Sequence, residues 1–274
     1  MPELPEVESL RRSLEGLARG LRIEGVEVTE TRLRRPVDRA KLSRLARHRR
    51  ILSVDRRAKY LLVRLEGDTT LLIHLGMSGQ LLCQDALSPR AKHQHICLAL
   101  EGGRELRFVD PRRFGLFEAL RDTELPSHPL LSSFGPEPLG PDFDGAALRL
   151  VLQGRRAAIK TLIMDARIVV GVGNIYASEA LFRAGIRPGR GGGRLSLPAC
   201  HRLASAIRET LQDAIDHGGT TLSDYRDAEG RRGDNQSRLF VYGRHDEPCL
   251  QCQAPIQRRV MAQRSTYYCR HCQR

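Results

Sequence analysis

Four cysteines near the end of the chain, Cys249, Cys252, Cys269 and Cys272, stand in the pattern C-x2-C-x16-C-x2-C. Two CxxC half-sites at this separation are the arrangement in which four thiolates close tetrahedrally on one structural zinc ion. A disulfide pair or redox CxxC motifs are the other uses of such cysteines. The remaining three, Cys83, Cys97 and Cys200, are scattered singly and follow no secretory signal, which argues against an oxidising compartment. Between the half-sites, Gln257 to Tyr268 reads as two short strands with a turn near Gln263-Arg264, so a zinc-clamped hairpin presents Arg264 at its tip. Zinc closed off by four thiolates stabilises folding and keeps no open position for chemistry. The reactive group must lie elsewhere.

The chain opens Met1-Pro2-Glu3-Leu4-Pro5-Glu6. Removal of Met1 makes Pro2 an N-terminal secondary amine. A primary amine condenses with an aldehyde to an imine that can lose its charge; a secondary amine gives only a permanently cationic iminium, a stronger electron sink. Lysine Schiff bases are the commoner form of this covalent strategy. Glu3 places a carboxyl group beside that amine, where it can shuttle protons. The same residues also suit an ordinary helix start, in which early acidic side chains complement the dipole.

A formal net charge of +13 over 274 residues and a pI near 10.0 point to a polyanionic partner. Nucleic acid is favoured over a membrane, because no apolar run approaches the ~20 residues that a span needs. Only four of the 45 basic residues are lysine: Lys41, Lys59, Lys92 and Lys160. Arginine replaces lysine readily as a solvated charge but cannot give up a proton at working pH. Each surviving lysine is therefore a candidate for a specific amine role. Lys41 and Lys92 read as surface charges.

Val7, Leu10, Leu14 and Leu17 recur at helical spacing and Gly20 is a plausible stop, so 5–19 is expected to be a helix that anchors the N-terminus. From about 21 to 120 the signals are strands, at 51–54, 61–65, 70–75, 96–100 and 105–109, with a hairpin turn at 101–104. Short strands with close turns suggest a β-sandwich. The Pro- and Gly-rich stretch 135–141 is a stiff linker. Helical patterns follow at about 144–164, 174–185 and 196–217, with a flexible loop at 188–194. The expected domains are 1–134, the linker 135–141, a helical domain 142–238 and the zinc finger 239–274. A polar, mobile loop is expected at about 218–238.

In order along the chain, MPELPEVE, RRAKYLL (56–62), HLGMSG (74–79), DPRRFG (110–115), FGPEPL (134–139), VVGVGNIYASEALFRAGI (169–186), VYGR (241–244) and the zinc hairpin resemble the bacterial formamidopyrimidine-DNA glycosylase family. The resemblance covers essentially the whole length. It implies an α+β fold: an N-terminal helix plus two-layer β-sandwich, then a helical helix–two-turn–helix domain ending in a four-cysteine zinc-finger β-hairpin. It further implies that Pro2, Glu3, Lys59 and Arg264 are catalytic. Lys59 would contact the lesion nucleotide and assist β-elimination; the lesser alternative is a strand-edge lysine that blocks aggregation.

The same resemblance places His74, His93, Arg112, Arg155, Lys160 and Asn174 on DNA, although a lone histidine near strands is more often packed, and Asn174 also suits an N-cap. Met77, Arg112 and Phe114 look like the family's intercalating residues. An enzyme that flips a nucleotide must fill the hole and satisfy the orphaned base. In one place the chain departs from the family: Gly233-Asp234-Asn235-Gln236 stands where an aromatic pair is common after the glycine.

The expected protein is thus a monomeric, cytoplasmic and nucleoid-associated bacterial base-excision-repair enzyme. It would act as a DNA glycosylase and abasic-site lyase on oxidised purines in double-stranded DNA, with one structural Zn2+, no membrane association and no small-molecule cofactor. The rivals are an endonuclease VIII-like enzyme for oxidised pyrimidines and a non-enzymatic zinc protein that binds DNA.

Overall fold

The computed structural model describes residues 1–221 and 225–274; the remaining part of the 218–238 loop, Leu222 to Asp224, lies outside the described residues. The chain forms two compact units, Met1–Ser132 with His217–Gln236, and Ser133–Asp216 with Ser237–Arg274.

The first unit begins with α1 (Leu4–Ala18), whose Leu4, Val7, Leu10, Leu14 and Ala18 are all buried. A three- and four-residue apolar spacing gives the helix one buried stripe, and Gly20 leaves it at φ +85°. There follow β1 (Ile23–Val28), α2 (Arg39–Ala46), β2 (Ile51–Arg57), β3 (Tyr60–Leu65), β4 (Thr69–His74), β5 (Gln80–Asp85), β6 (Gln94–Leu100), β7 (Arg104–Val109) and β8 (Leu116–Arg121). They make two antiparallel four-stranded sheets, ordered β2-β3-β4-β8 and β1-β6-β7-β5. Phe108 of β7 and Phe117 of β8 meet edge to face at 5.7 Å, joining the two layers. The α1 stripe packs into the same core as Val54, Leu61, Val63, Leu81 and Leu98.

Three strands and one helix of this unit have no counterpart in the sequence-based expectation. β1 (Ile-Glu-Gly-Val-Glu-Val) is half exposed, and its apolar alternation is broken by Gly25. β8 (Leu-Phe-Glu-Ala-Leu-Arg) is composed of good helix formers and becomes a strand through pairing with β4. α2 carries a usable signal: Asp38 caps it by accepting from the Lys41 N–H at 2.8 Å.

The second unit holds α3 (Gly145–Leu152), α4 (Ile159–Ile163), α5 (Asn174–Arg183), α6 (Leu197–Asp216) and the hairpin β9 (Gln257–Met261) with β10 (Arg264–Tyr268). The single helix expected at 144–164 is two, because Gly154 turns the backbone to φ +73° after α3. The stretch 188–194 is no loose loop: Gly192 N–H donates to the Ala157 carbonyl at 3.0 Å and Gly193 N–H to that of Arg155 at 2.8 Å. Phe182 of α5 packs with Val241, Ile256, Cys249 and Cys269, so the zinc end is built onto α5. Among the described residues no helix is long and apolar enough to cross a membrane.

Candidate active site and zinc centre

In the first unit the start of α1 is closed off from solvent. Pro2 is buried, Glu3 is 4% exposed and Met1 is half exposed. Glu6, itself buried, accepts the Glu3 N–H on Oε2 at 2.7 Å and the Thr220 N–H on Oε1 at 2.7 Å. One carboxylate thus fixes both the first turn of the helix and the 217–236 segment. That segment is further stitched in place. Asn235 Nδ2 donates to Thr220 Oγ1 at 2.8 Å, Gly233 N–H to Thr221 Oγ1 at 2.9 Å, and Ala228 N–H to Ser13 Oγ at 3.0 Å. Its described residues make these bonds within the stretch expected as a polar loop, and Asn235 is buried.

Lys59 stands with Ala58 in the two-residue turn that joins β2 to β3, where Arg57 pairs with Tyr60. Ala58 adopts φ 56°, the left-handed backbone such a turn requires. Directly behind, the Tyr60 and His74 rings lie 4.7 Å apart.

His74 is buried, and its Nδ1 accepts the Gly76 N–H at 2.9 Å. Burial first, then the charges of Arg34 and Lys59, pushes its pKa down to about 4. With a folded value below the unfolded one, the unfolded chain takes up the proton first as pH falls. The contribution of His74 is therefore complete above about pH 6.5 and is lost progressively toward pH 4. Between pH 6.5 and 5 the loss should be roughly 1.5 kcal/mol. Urea unfolding at both pH values should show a smaller drop for His74→Gln than for the parent; equal drops would assign the pH dependence to other groups.

Met77 and Phe114 are 40% and 48% exposed, and the Arg112 guanidinium lies 4.9 Å from the Phe114 ring centre. Their two loops touch backbone to backbone. Gly76 sits at φ +63°, and a Cβ there would fall 2.5 Å from the Phe114 carbonyl carbon, so only glycine allows the approach. Buried Asp110 organises the pair. Its carboxylate accepts the Gly115 N–H at 2.8 Å, Ser78 Oγ at 3.2 Å and the Arg112 N–H at 3.3 Å. Its N–H donates to the carbonyl of His93, an exposed residue at φ 65°. The three expected intercalating residues and His93 are thus brought together. Sequence reasoning passed over Asp110, whose place in an Asp-Pro-Arg-Arg turn is its one signal.

In the second unit Lys160, Asn174 and the hairpin form one cluster. Lys160 Nζ donates to Asn174 Oδ1 at 2.6 Å, Thr266 Oγ1 at 2.8 Å and the Ser265 carbonyl at 3.1 Å. Asn174 Nδ2 donates to the Ser265 carbonyl at 3.0 Å and the Tyr242 hydroxyl at 3.3 Å. Asn174 is the first residue of α5 and Gly173 is the cap, so its side chain braces the cluster and leaves capping aside. Lys160 is 2% exposed and works as an internal strut. Arg155, by contrast, is exposed beside Gly154. Arg264 is exposed at the head of β10, after a two-residue turn at Ala262 and Gln263 with φ of 46° and 59°.

Two contributors, Tyr242 and Glu179, were not singled out from the sequence. Buried Glu179 accepts the N–H groups of Phe240, Val241 and Tyr242 at 2.8, 3.0 and 2.8 Å. Burial pushes its pKa up, opposed by these three donors. A glutamate inside the mostly apolar face of α5 was the available signal.

The ligand atoms of Cys249, Cys252, Cys269 and Cys272 all lie within 4.8 Å of one another. Cys249 and Cys272 sulfurs are 3.8 Å apart, and those of Cys252 and Cys269 are 3.4 Å apart. Zn–S bonds of ~2.3 Å in a tetrahedron place sulfurs about 3.8 Å apart. The donor set therefore fits one structural zinc, held by these four residues.

Residues 1–117 match the formamidopyrimidine-DNA glycosylase N-terminal domain, 134–226 the H2TH domain of the same enzymes, and 246–274 the zinc finger found in FPG and IleRS. The chain belongs to the formamidopyrimidine-DNA glycosylase family. It is 50% identical over 274 residues to the formamidopyrimidine-DNA glycosylase of Stutzerimonas stutzeri and 52% identical over 277 to that of Thioalkalivibrio sulfidiphilus, with full coverage of both chains in each case. The crystal structure of the MutM (Fpg) protein of Thermus thermophilus matches with TM-score 0.89 and 44% identity, covering 99% of this chain and 98% of that one. A Lactococcus lactis Fpg bound to abasic-site DNA matches with TM-score 0.92 and 34% identity over 99% of each chain.

Proposed function

We propose that this protein is a bifunctional DNA glycosylase and abasic-site lyase of base excision repair, acting on oxidised purines in duplex DNA. The observation that carries the reading is the buried Pro2-Glu3 pair at the head of α1, in a chain that matches the family from end to end. Once Met1 is removed, the Pro2 nitrogen attacks C1′ of an everted nucleotide. The glycosidic bond breaks, Glu3 supplies the proton for the departing base, and the sugar opens to an iminium on Pro2. Loss of a C2′ proton then expels the 3′ phosphate, and a second elimination expels the 5′ phosphate. Strand scission follows on both sides of the sugar.

Lys59, in its rigid turn, serves proton transfer in the first elimination. Met77, Arg112 and Phe114 fill the space left by the everted nucleotide, with His74 bracing the Met77 loop from within and His93 on the backbone. Asn174 and Arg264 take phosphates, and Arg155 a further one. An arriving phosphate would replace the Tyr242 hydroxyl on Asn174 Nδ2, the longest bond of that cluster. Lys160 serves DNA by holding Asn174 and the Ser265 carbonyl in place. Arg264 anchors phosphate more readily than it gives up a proton. Zinc supplies no step; Cys249, Cys252, Cys269 and Cys272 hold it to fix the hairpin. The domain limits at 134, 141 and 238 and association with the nucleoid belong to the same proposal.

Sodium borohydride with an abasic-site duplex should reduce the iminium to a stable protein–DNA adduct attached at residue 2. Absence of an adduct with protein shown by mass spectrometry to lack Met1 would falsify the enzyme reading. Faster excision of thymine glycol than of 8-oxoguanine would move the substrate to oxidised pyrimidines.

Lys59→Arg separates a proton-transfer role from simple charge. A phosphate contact tolerates arginine with little change in rate or salt dependence. A positioned acid–base group is worth ~10²–10⁴-fold. Base excision should fall at least about tenfold while duplex affinity persists, since Glu3 still contributes. Wild-type turnover would reduce Lys59 to a phosphate contact.

A further inference from the structure

Beside β9 the second unit carries a groove of about 950 Å³ that plays no part in the chemistry above. One wall is the loop at 187–190 and the other is β9 with the last residues of the chain. Five arginines line it, Arg187, Arg190, Arg259, Arg270 and Arg274, and no acidic residue does. Three other arginines of this unit carry a carboxylate partner, Arg183 with Asp213, Arg167 with Asp165 and Arg244 with Glu247. Among the described residues no carboxylate side chain comes within 4.0 Å of a groove guanidinium. Five like charges gathered in one concavity repel one another in the free protein, and a polyanionic occupant relieves that repulsion.

The groove is also apolar in part and open along a strand edge. Met261 and Tyr268 contribute its floor, and Val260 at the rim is 70% exposed. Among the described residues β9 pairs only with β10, which leaves its other edge to offer backbone donors and acceptors. A peptide can use such an edge by adding a strand, placing alternate side chains into the groove. A nucleic-acid backbone has no amide groups with which to do so.

We infer that this groove docks an acidic, extended segment of another protein, in which carboxylates alternate with apolar side chains. The carboxylates meet the arginine fork on the face that carries Arg259, the apolar residues fall on the opposite face with Val260, and the backbone pairs with β9. Neither Asn174 nor Arg264 is among its lining residues, although Met261, which is, pairs with Arg264 across the hairpin turn.

The test uses the full-length, zinc-loaded protein and a fluorescein-labelled decapeptide alternating Asp with Ile, followed by anisotropy. Saturable binding is expected, and the same peptide with Asn for Asp should bind at least about tenfold more weakly. The double variant Arg187→Glu, Arg259→Glu should weaken peptide binding by a similar factor, with its zinc content and its borohydride trapping of abasic DNA unchanged. Three results would overturn the inference. One is no saturable binding by the parent; another is equal binding of the Asn peptide. The third is displacement of the peptide by a single-stranded oligonucleotide together with a parallel loss of duplex affinity in the variant, which would make the groove a nucleic-acid contact.

Discussion

Protein that retains Met1 will form no borohydride-stable adduct with abasic DNA, whereas the same protein with Met1 removed will form one in high yield. In the retained form the Pro2 nitrogen is an amide, whose lone pair is delocalised into the Met1 carbonyl and cannot attack C1′. The effect should be all or none, larger than that of any side-chain change, because the nucleophile itself is absent. Pro2→Gly with Met1 removed leaves a primary amine at the same place and should keep part of the trapping. Adduct formation by protein that mass spectrometry shows to be fully Met1-capped would move the nucleophile to another amine, with Lys59 the first to test.

Removal of zinc should be the next largest effect. Each strand of the hairpin has five residues, too few to persist as an isolated pair in water. Structural zinc in small modules contributes about 10–16 kcal/mol of apparent folding free energy. Without it, Arg264 is no longer placed, and the Ser265 carbonyl and Thr266 hydroxyl are lost to Lys160 and Asn174. Two charge-assisted contacts at ~1.5–3 kcal/mol each correspond to a loss of about a hundredfold or more in duplex affinity. Cys269→Ala, or chelation, should therefore abolish measurable binding of short duplexes at moderate salt while the first unit keeps its amide-exchange protection. Metal-free protein with normal affinity would contradict the assignment.

How far the sequence could be read depended on the range of the interaction concerned. The α1 stripe, the cysteine pairs and the β2–β3, β3–β4 and β6–β7 hairpins are local, and their periodicity or spacing is written in consecutive residues. β8 is not local: its helix-forming residues become a strand because β4 lies beside it. The site divides in the same way. Pro2, Glu3, Lys59 and Arg264 were nominated by chemistry and family pattern. Glu6, Asp110, Glu179 and Tyr242 were not, because each acts through partners that only the fold supplies. Lys160 illustrates the difference: the family pattern suggested a phosphate contact, and only the fold shows that it is buried and bonded to Asn174 and Thr266.

The Glu6 carboxylate joins residues 214 positions apart, and this has a consequence for synthesis. At usual elongation rates of ~5–20 residues per second, Thr220 leaves the ribosome roughly ten to forty seconds after Glu6. Until then the first turn of α1 lacks its outer fastening, and the Met1-Pro2 bond is open to a processing peptidase. Afterwards the Thr220 N–H fastens Glu6 and the first turn is held, with Pro2 buried and Met1 half exposed. The order of emergence thus gives maturation a window before burial, and a chain truncated at residue 216 should remain open to removal of Met1 indefinitely. Equal rates of Met1 loss from the truncated and full-length folded chains would show that Glu6 sets no such clock. The long-range bond makes the nucleophile the first part of the chain to be synthesised and among the last to be organised.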